Sequence, residues 1–241
     1  MFDAISRRSK QRGSLLLTGV GPVSPPAAGG GGASFAIATS GSSTGADINL
    51  GTASAGDLLV CMWYTEGQNS AGTTTVDDAT NGEWSYTGER ENSLTSGSPN
   101  WNQRIGCAYV LSSGAGAVSV GLNPGAGSNV ARFFAWRFTV TDGPAVLVDS
   151  QSNEGNTTSG TSTGASSGSC GLGVGAAFDW AGSVTCSDGE IPDNTNVDAE
   201  MSLGSGDDGL AGYRIASMDN PDYAFTLSTN VEWLALIATF G

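Results

Sequence analysis

The chain has 241 residues, a formal net charge of −14 and no histidine, which removes Ser-His-Asp hydrolysis, His-ligated zinc and imidazole acid–base chemistry at the outset. Its 37 glycines come with only 8 prolines and no three-residue period, so it is not collagen-like. With 39% apolar and 13% charged residues it has the composition of a folded chain rather than a disordered one.

Residues 1–32 stand apart in composition. Arg7, Arg8, Lys10 and Arg12 are opposed only by Asp3, Leu15, Leu16 and Leu17 follow, and the segment ends in Pro25-Pro26 and Gly29-Gly30-Gly31-Gly32. The order imitates a secretory leader, but the apolar run is broken by Gly19, Gly21 and Pro22 and falls short of the ~7–15 residues an h-region needs. We read it as an extended N-terminal arm and tether, in which the four cations and the three leucines make the attachment contacts. The arm carries +3, so the body must carry −17, with Arg90, Arg104, Arg132, Arg137 and Arg214 set against 22 carboxylates. Such a body repels nucleic acid and anionic lipid. No window approaches the ~20 apolar residues of a membrane-spanning helix, so a soluble protein with no membrane partner is expected.

From residue 33 onward, strand-like runs alternate with turn residues. In the first half they span 33–39, 57–65, 83–87, 104–111, 117–122, 130–140 and 145–149. The clearest is Ala131 to Val140, where Arg132, Phe134, Trp136 and Phe138 alternate with Phe133, Ala135 and Arg137. Aromatic residues on both faces imply that both faces are covered. A Ser/Thr/Gly tract over 151–169 interrupts the pattern, which resumes at 171–180, 199–203, 211–217, 223–228 and 231–240. No stretch shows a capped 3.6-residue apolar stripe. Many short strands with Gly, Asn, Asp and Ser turns predict an all-β body over 33–241, an antiparallel β-sandwich of jelly-roll type.

The second half echoes the first. Asp57–Trp63 parallels Gly171–Ala177, Ala108–Leu111 parallels Gly212–Ile215, Val118–Val120 parallels Phe225–Leu227, and Arg132–Phe138 parallels Trp233–Thr239. This predicts an internal pseudo-repeat, with halves 33–150 and 170–241 forming two parts of one sandwich.

The residues that carry chemistry are sparse. Cys61 and Cys107 lie in apolar runs and read as small buried hydrophobes, while a Cys170–Cys186 bridge stays open on spacing alone. Carboxylates gather at Asp77, Asp78 and Glu83, and again at Asp188, Glu190, Asp193, Asp198, Glu200, Asp207 and Asp208. Oxygen-rich loops suit Ca²⁺, but neither group has EF-hand spacing, and solvated acidic loops are the simpler reading, so no cofactor is expected. Gly114-Ala115-Gly116 and Gly204-Ser205-Gly206 lack the following helix of a nucleotide fingerprint and read as turns. Trp63, Trp136 and Trp233 sit within strand-like runs and read as core. Trp84 and Trp101 flank a Gly/Ser/Asn-rich loop and are the two candidates for a glycan-stacking platform, against local packing as the alternative.

The run Ser54-Ala55-Gly56-Asp57-Leu58-Leu59-Val60, the Trp-bearing Gly82-Glu83-Trp84, Ala108-Tyr109-Val110-Leu111 with Gly114 to Val120, and the closing Trp233 to Phe240 together resemble the jelly-roll or concanavalin-like modules of tailed-phage virion proteins. The resemblance covers residues 33–241 and carries no catalytic motif. It implies a non-enzymatic structural protein located in the virion, a capsid decoration or a fibre or tail attachment subunit, whose partners are other virion proteins and copies of itself. A carbohydrate- or host-receptor-binding module is the alternative.

Overall fold

The computed structural model describes residues 32–68, 73–94, 101–128, 130–161, 169–179, 186–191, 197–203 and 209–241. The expected arm contacts, Arg7, Arg8, Lys10, Arg12 and Leu15 to Leu17, lie outside them. The described residues are all-β, without a helix, and belong to one compact unit.

The first half of the chain supplies β1 (Ser34–Ser43), β2 (Ile48–Ala53), β3 (Leu58–Gln68), β4 (Thr75–Asp78), β5 (Gly82–Glu83), β6 (Ser85–Leu94), β7 (Trp101–Leu111), β8 (Gly116–Asn123) and β9 (Val130–Thr141). They form a five-stranded sheet in the order β1-β9-β3-β7-β6 and a four-stranded sheet in the order β2-β8-β4-β5. Dealing successive strands to two sheets in this way is the jelly-roll winding. The second half supplies β10 (Leu147–Thr161), β11 (Ser169–Asp179), β12 (Cys186–Glu190), β13 (Ala199–Ser202), β14 (Gly209–Asp219) and β15 (Ala224–Phe240). Here the order is β10-β15-β11-β14-β13, with β12 paired to β15.

The two orders are the same order. Substituting β10 for β1, β15 for β9, β11 for β3, β14 for β7 and β13 for β6 converts one sheet into the other. Register agrees residue by residue: Leu58 pairs with Phe138 and Leu111, and Leu172 with Phe240 and Ile215. Even the irregularities coincide, since the register shifts between Ile37 and Thr39 in β1 and between Leu147 and Asp149 in β10, at equivalent residues. The second repeat differs in running β10 and β15 through as single long strands. The start of β15 pairs with β12 and with the end of β10, which in the first repeat is the work of β8, β4 and β2.

Two expectations are corrected. Residues 151–161 of the Ser/Thr/Gly tract belong to β10 and pair along β15; small polar residues satisfy an edge strand because it has one neighbour and little side-chain burial to supply. The parallel of Arg132–Phe138 with Trp233–Thr239 is one residue out, because Phe138 matches Phe240 and Arg132 matches Leu234. A slip of one residue exchanges the faces of a strand. The sequence aligned aromatic with aromatic, whereas the fold aligns inward face with inward face.

The two five-stranded sheet paths pack face to face as a sandwich. Between them lie Leu58, Val60, Met62, Phe134, Trp136 and Phe138 from the first repeat, with Leu172, Val174, Ala176, Leu236, Ala238 and Phe240 from the second. Contacts across this seam are reciprocal. Tyr109 meets Phe240 edge-on at 5.5 Å and Phe138 meets Tyr213 edge-on at 5.4 Å, and these are the same pair with the repeats exchanged. Tyr64 stacks on Phe178, its own counterpart, with ring centroids 5.4 Å apart. A pseudo-two-fold axis therefore passes between Tyr64 and Phe178, and the repeats meet as an isologous dimer does.

Each central sheet is also covered on its outer face, as the aromatics on both faces of β9 required. Leu59, Cys61, Trp63, Phe133 and Ala135 pack under Ile48, Leu50, Val76, Val118 and Val120. Ala177, Leu210, Ala235 and Ile237 pack under Tyr223, Phe225 and Leu227. The rings sit directly on glycine backbone: a methyl added at Gly106 would fall inside the indole of Trp63, and one at Gly175 inside the ring of Tyr223. Buried rings cannot swing aside cheaply. Gly106→Ala and Gly175→Ala should therefore each lower the stability by about 1–3 kcal/mol, the usual cost of overpacking, as read from the urea midpoint at unchanged m-value.

Candidate functional site

At one end of the central seam the apolar face gives way to charge. Following the inward-facing residues of β3 from Met62 leads to Tyr64 and then Glu66; β7 places Gln103 opposite Glu66, and β9 places Arg132 opposite Tyr64. All are buried, as is Asp179 at the end of β11. The Tyr64 hydroxyl donates to Glu66 Oε2 at 2.5 Å, and the Arg132 guanidinium lies over the Tyr64 ring, 5.5 Å from its centroid. Burial, then the neighbouring Glu66 carboxylate, pushes the Tyr64 phenol well above its ordinary value. Two carboxylates and one guanidinium thus surround a phenol that stays protonated, on the pseudo-two-fold axis.

This cluster was missed by the sequence reading, though one signal was visible. Arg132 shares a strand face with Phe134, Trp136 and Phe138, where a charge is out of place unless it is paired. Asp179 had no such signal, because only the fold brings it to β3.

The expected sites are distributed differently. Trp84 is 2% exposed, packs in the outer core of the first repeat, and donates its indole N–H to Asp78 Oδ2 at 2.7 Å. It presents no ring face to a sugar, which corrects its reading as a glycan platform; the ring is packed among the apolar side chains of that core. The side chain of Trp101 lies outside the described residues. Asp78 also accepts from the backbone N–H groups of Thr80 and Asn81 and from the Asn81 side chain, so both its oxygens staple the loop. Asp198 likewise accepts the Ile215 N–H at 2.6 Å. Among the described residues no three ligating side chains gather to hold a metal ion.

Cys170 is a buried thiol outside any disulfide, 3.7 Å from the Met218 carbonyl oxygen, and burial pushes its pKa up to about 11. The bridge to Cys186 that spacing left open is not formed. Cys170 lines a groove of about 550 Å³ with Ala33, Phe35, Gly171, Ile215 and Ala216, at the point where the described chain begins.

None of the four body arginines with described side chains is exposed. Arg104 and Arg132 are buried, Arg137 lies 3.9 Å from Asp57 with its side chain 15% exposed, and Arg214 is half-buried. Asp47, Glu83, Asp142, Asp198, Glu200 and Asp219 are exposed, whereas Asp57, Glu66, Asp78 and Asp179 are buried. Among the described residues the fully exposed charges are therefore all carboxylates. No family model matches the sequence, and neither a curated protein nor a solved structure matches the chain.

The Tyr64 contact has a pH signature. A phenol whose pKa is raised by folding contributes stability fully below pH 10, the unfolded value, and loses it as pH rises above that. Tyr64→Phe should cost about 1.5–3 kcal/mol at pH 7, as for a hydrogen bond to a charged group. The penalty should shrink above pH 10, measured by urea unfolding at both pH values.

Proposed function

We propose that this chain is a non-enzymatic structural protein of a bacteriophage virion, held on the particle by its N-terminal arm as a capsid decoration or as a fibre or tail attachment subunit. The observation that carries the proposal is the separation of charge: +3 on the arm and −17 on the rest of the chain, whose fully exposed charges among the described residues are carboxylates. An acidic surface keeps such a body soluble and away from nucleic acid, and leaves the basic arm as the segment suited to an acidic particle surface. The jelly roll is a fold used by viral capsid proteins, which supports the reading. Lectins use it too, and carbohydrate or receptor binding is the second reading; with Trp84 buried, Trp101 is the remaining one of its two candidate residues.

Deleting residues 1–17 should leave a folded body that no longer co-sediments with particles lacking the protein. Reversing the charge at Arg7, Arg8, Lys10 and Arg12 should weaken attachment more at low salt than at high salt, because exposed charge contacts are screened over about 8–10 Å at ordinary ionic strength. A truncated body that attaches as tightly as the full chain would move the interface to the sandwich. Selective glycan binding lost on Trp101→Ala would favour the second reading.

A further inference from the structure

Sheet edges carry unpaired N–H and C=O groups, and proteins protect them with charge, short strands or a covering element. Three of the four edges of the central sheets are protected. The strand β6 bears Glu89, Arg90 and Glu91; β13 has four residues; and β10 bears Asp149 and Glu154 and has β6 packed against it. The fourth edge, β1, has neither the charge nor the shortness, although β2, β11 and β13 pack against it. Its ten residues, SFAIATSGSS, contain no charge and no proline, and it pairs with β9 from Ser34 to Ser43 on one side only among the described residues.

The pseudo-symmetry sharpens the contrast. Ile37 and Leu147 are equivalent, yet Leu147 is half-buried against the central core while Ile37 is 38% exposed. The groove lined by Ala33, Phe35, Ile215 and Ala216 adjoins the same end of β1. Both edges pair on one side only among the described residues; β1 differs in lacking charge and in exposing its apolar Ile37.

We infer that the outer edge of β1 is a self-association surface, where a second copy of this chain adds its own β1 antiparallel about a two-fold axis. Two features select a second copy as the occupant. Like-charged bodies this acidic can approach closely only along an uncharged strip, and β1 is the long uncharged edge of the central sheets. An isologous β1–β1 pairing also satisfies both open edges in one closed contact, whereas a head-to-tail pairing would leave one exposed. The inference stands apart from the virion reading, and the two respond to salt with opposite sign: arm contacts weaken as salt rises, while β1 pairing between acidic bodies strengthens.

The test is sedimentation equilibrium of the full chain at about 0.01 M and about 1 M salt, where the screening length falls from about 30 Å to about 3 Å. The dimer dissociation constant should fall about tenfold or more at the higher salt, and Ile37→Glu, at an exposed position, should reverse that gain. Hydrogen exchange of the unmodified chain at low and high protein concentration gives a readout free of any folding defect: the β1 amides that face away from β9 should be protected only at high concentration. A chain that stays monomeric at both salts overturns the inference. So does a dimer that survives Ile37→Glu without protection in β1, or one that weakens with salt and is lost on charge reversal in the arm; the last of these would leave the arm reading standing.

Discussion

The structure depends on one contact, the burial of one five-stranded sheet path against its own repeat. Each of these sheets is apolar on both faces, so neither repeat can satisfy its sheet with its own outer strands alone. The first repeat covers the outer face with β2, β8, β4 and β5, and the second covers its own with β12 and the leading half of β15. What remains on each is an inner face, and the two inner faces close on one another about the Tyr64–Phe178 stack. Jelly-roll winding follows from the outer covering, and the single compact body from the inner.

Divergence of the repeats is visible where they meet. Met62, Cys107, Phe134 and Trp136 on the first inner face stand where the second has Ala176, Ala211, Leu236 and Ala238, while Phe138 and Phe240 keep a ring in both. Charge diverged as well. Arg132 occupies the position of Leu234, so a buried charge in one repeat stands where the other has a buried apolar side chain. A buried ionic group gives little net stability, but losing one partner is costly, so such groups penalise wrong registers more than they stabilise the right one.

Much of the fold was legible because period-two alternation reports faces directly. Val130 to Val140 announced a strand covered on both sides, and the tandem echo of Asp57–Trp63 with Gly171–Ala177 and of Ala108–Leu111 with Gly212–Ile215 matches the observed register. Strands built from small or polar residues were not legible. Ile48–Ala53, Thr75–Asp78 and the extension of β10 over residues 151–161 hold their places through ladder hydrogen bonds and a few inward side chains, which leave little trace in a hydrophobicity pattern. The site was the least legible part. Tyr64, Arg132 and Asp179 are far apart in sequence, and no local signal says that three strands from two repeats end together. Trp84 misled because its neighbours are turn formers, and a ring beside a turn can pack into the core as readily as face solvent.

The central claim is that two repeats share one core and do not fold as independent domains. Differential scanning calorimetry of the full chain tests it most directly, by comparing the calorimetric with the van't Hoff enthalpy. A shared seam predicts a single transition in which the two enthalpies agree. Two resolved transitions, or a calorimetric enthalpy about twice the van't Hoff value as expected of two separate cooperative units, would mean that the seam about Tyr64 and Phe178 does not couple the repeats, and would contradict the account.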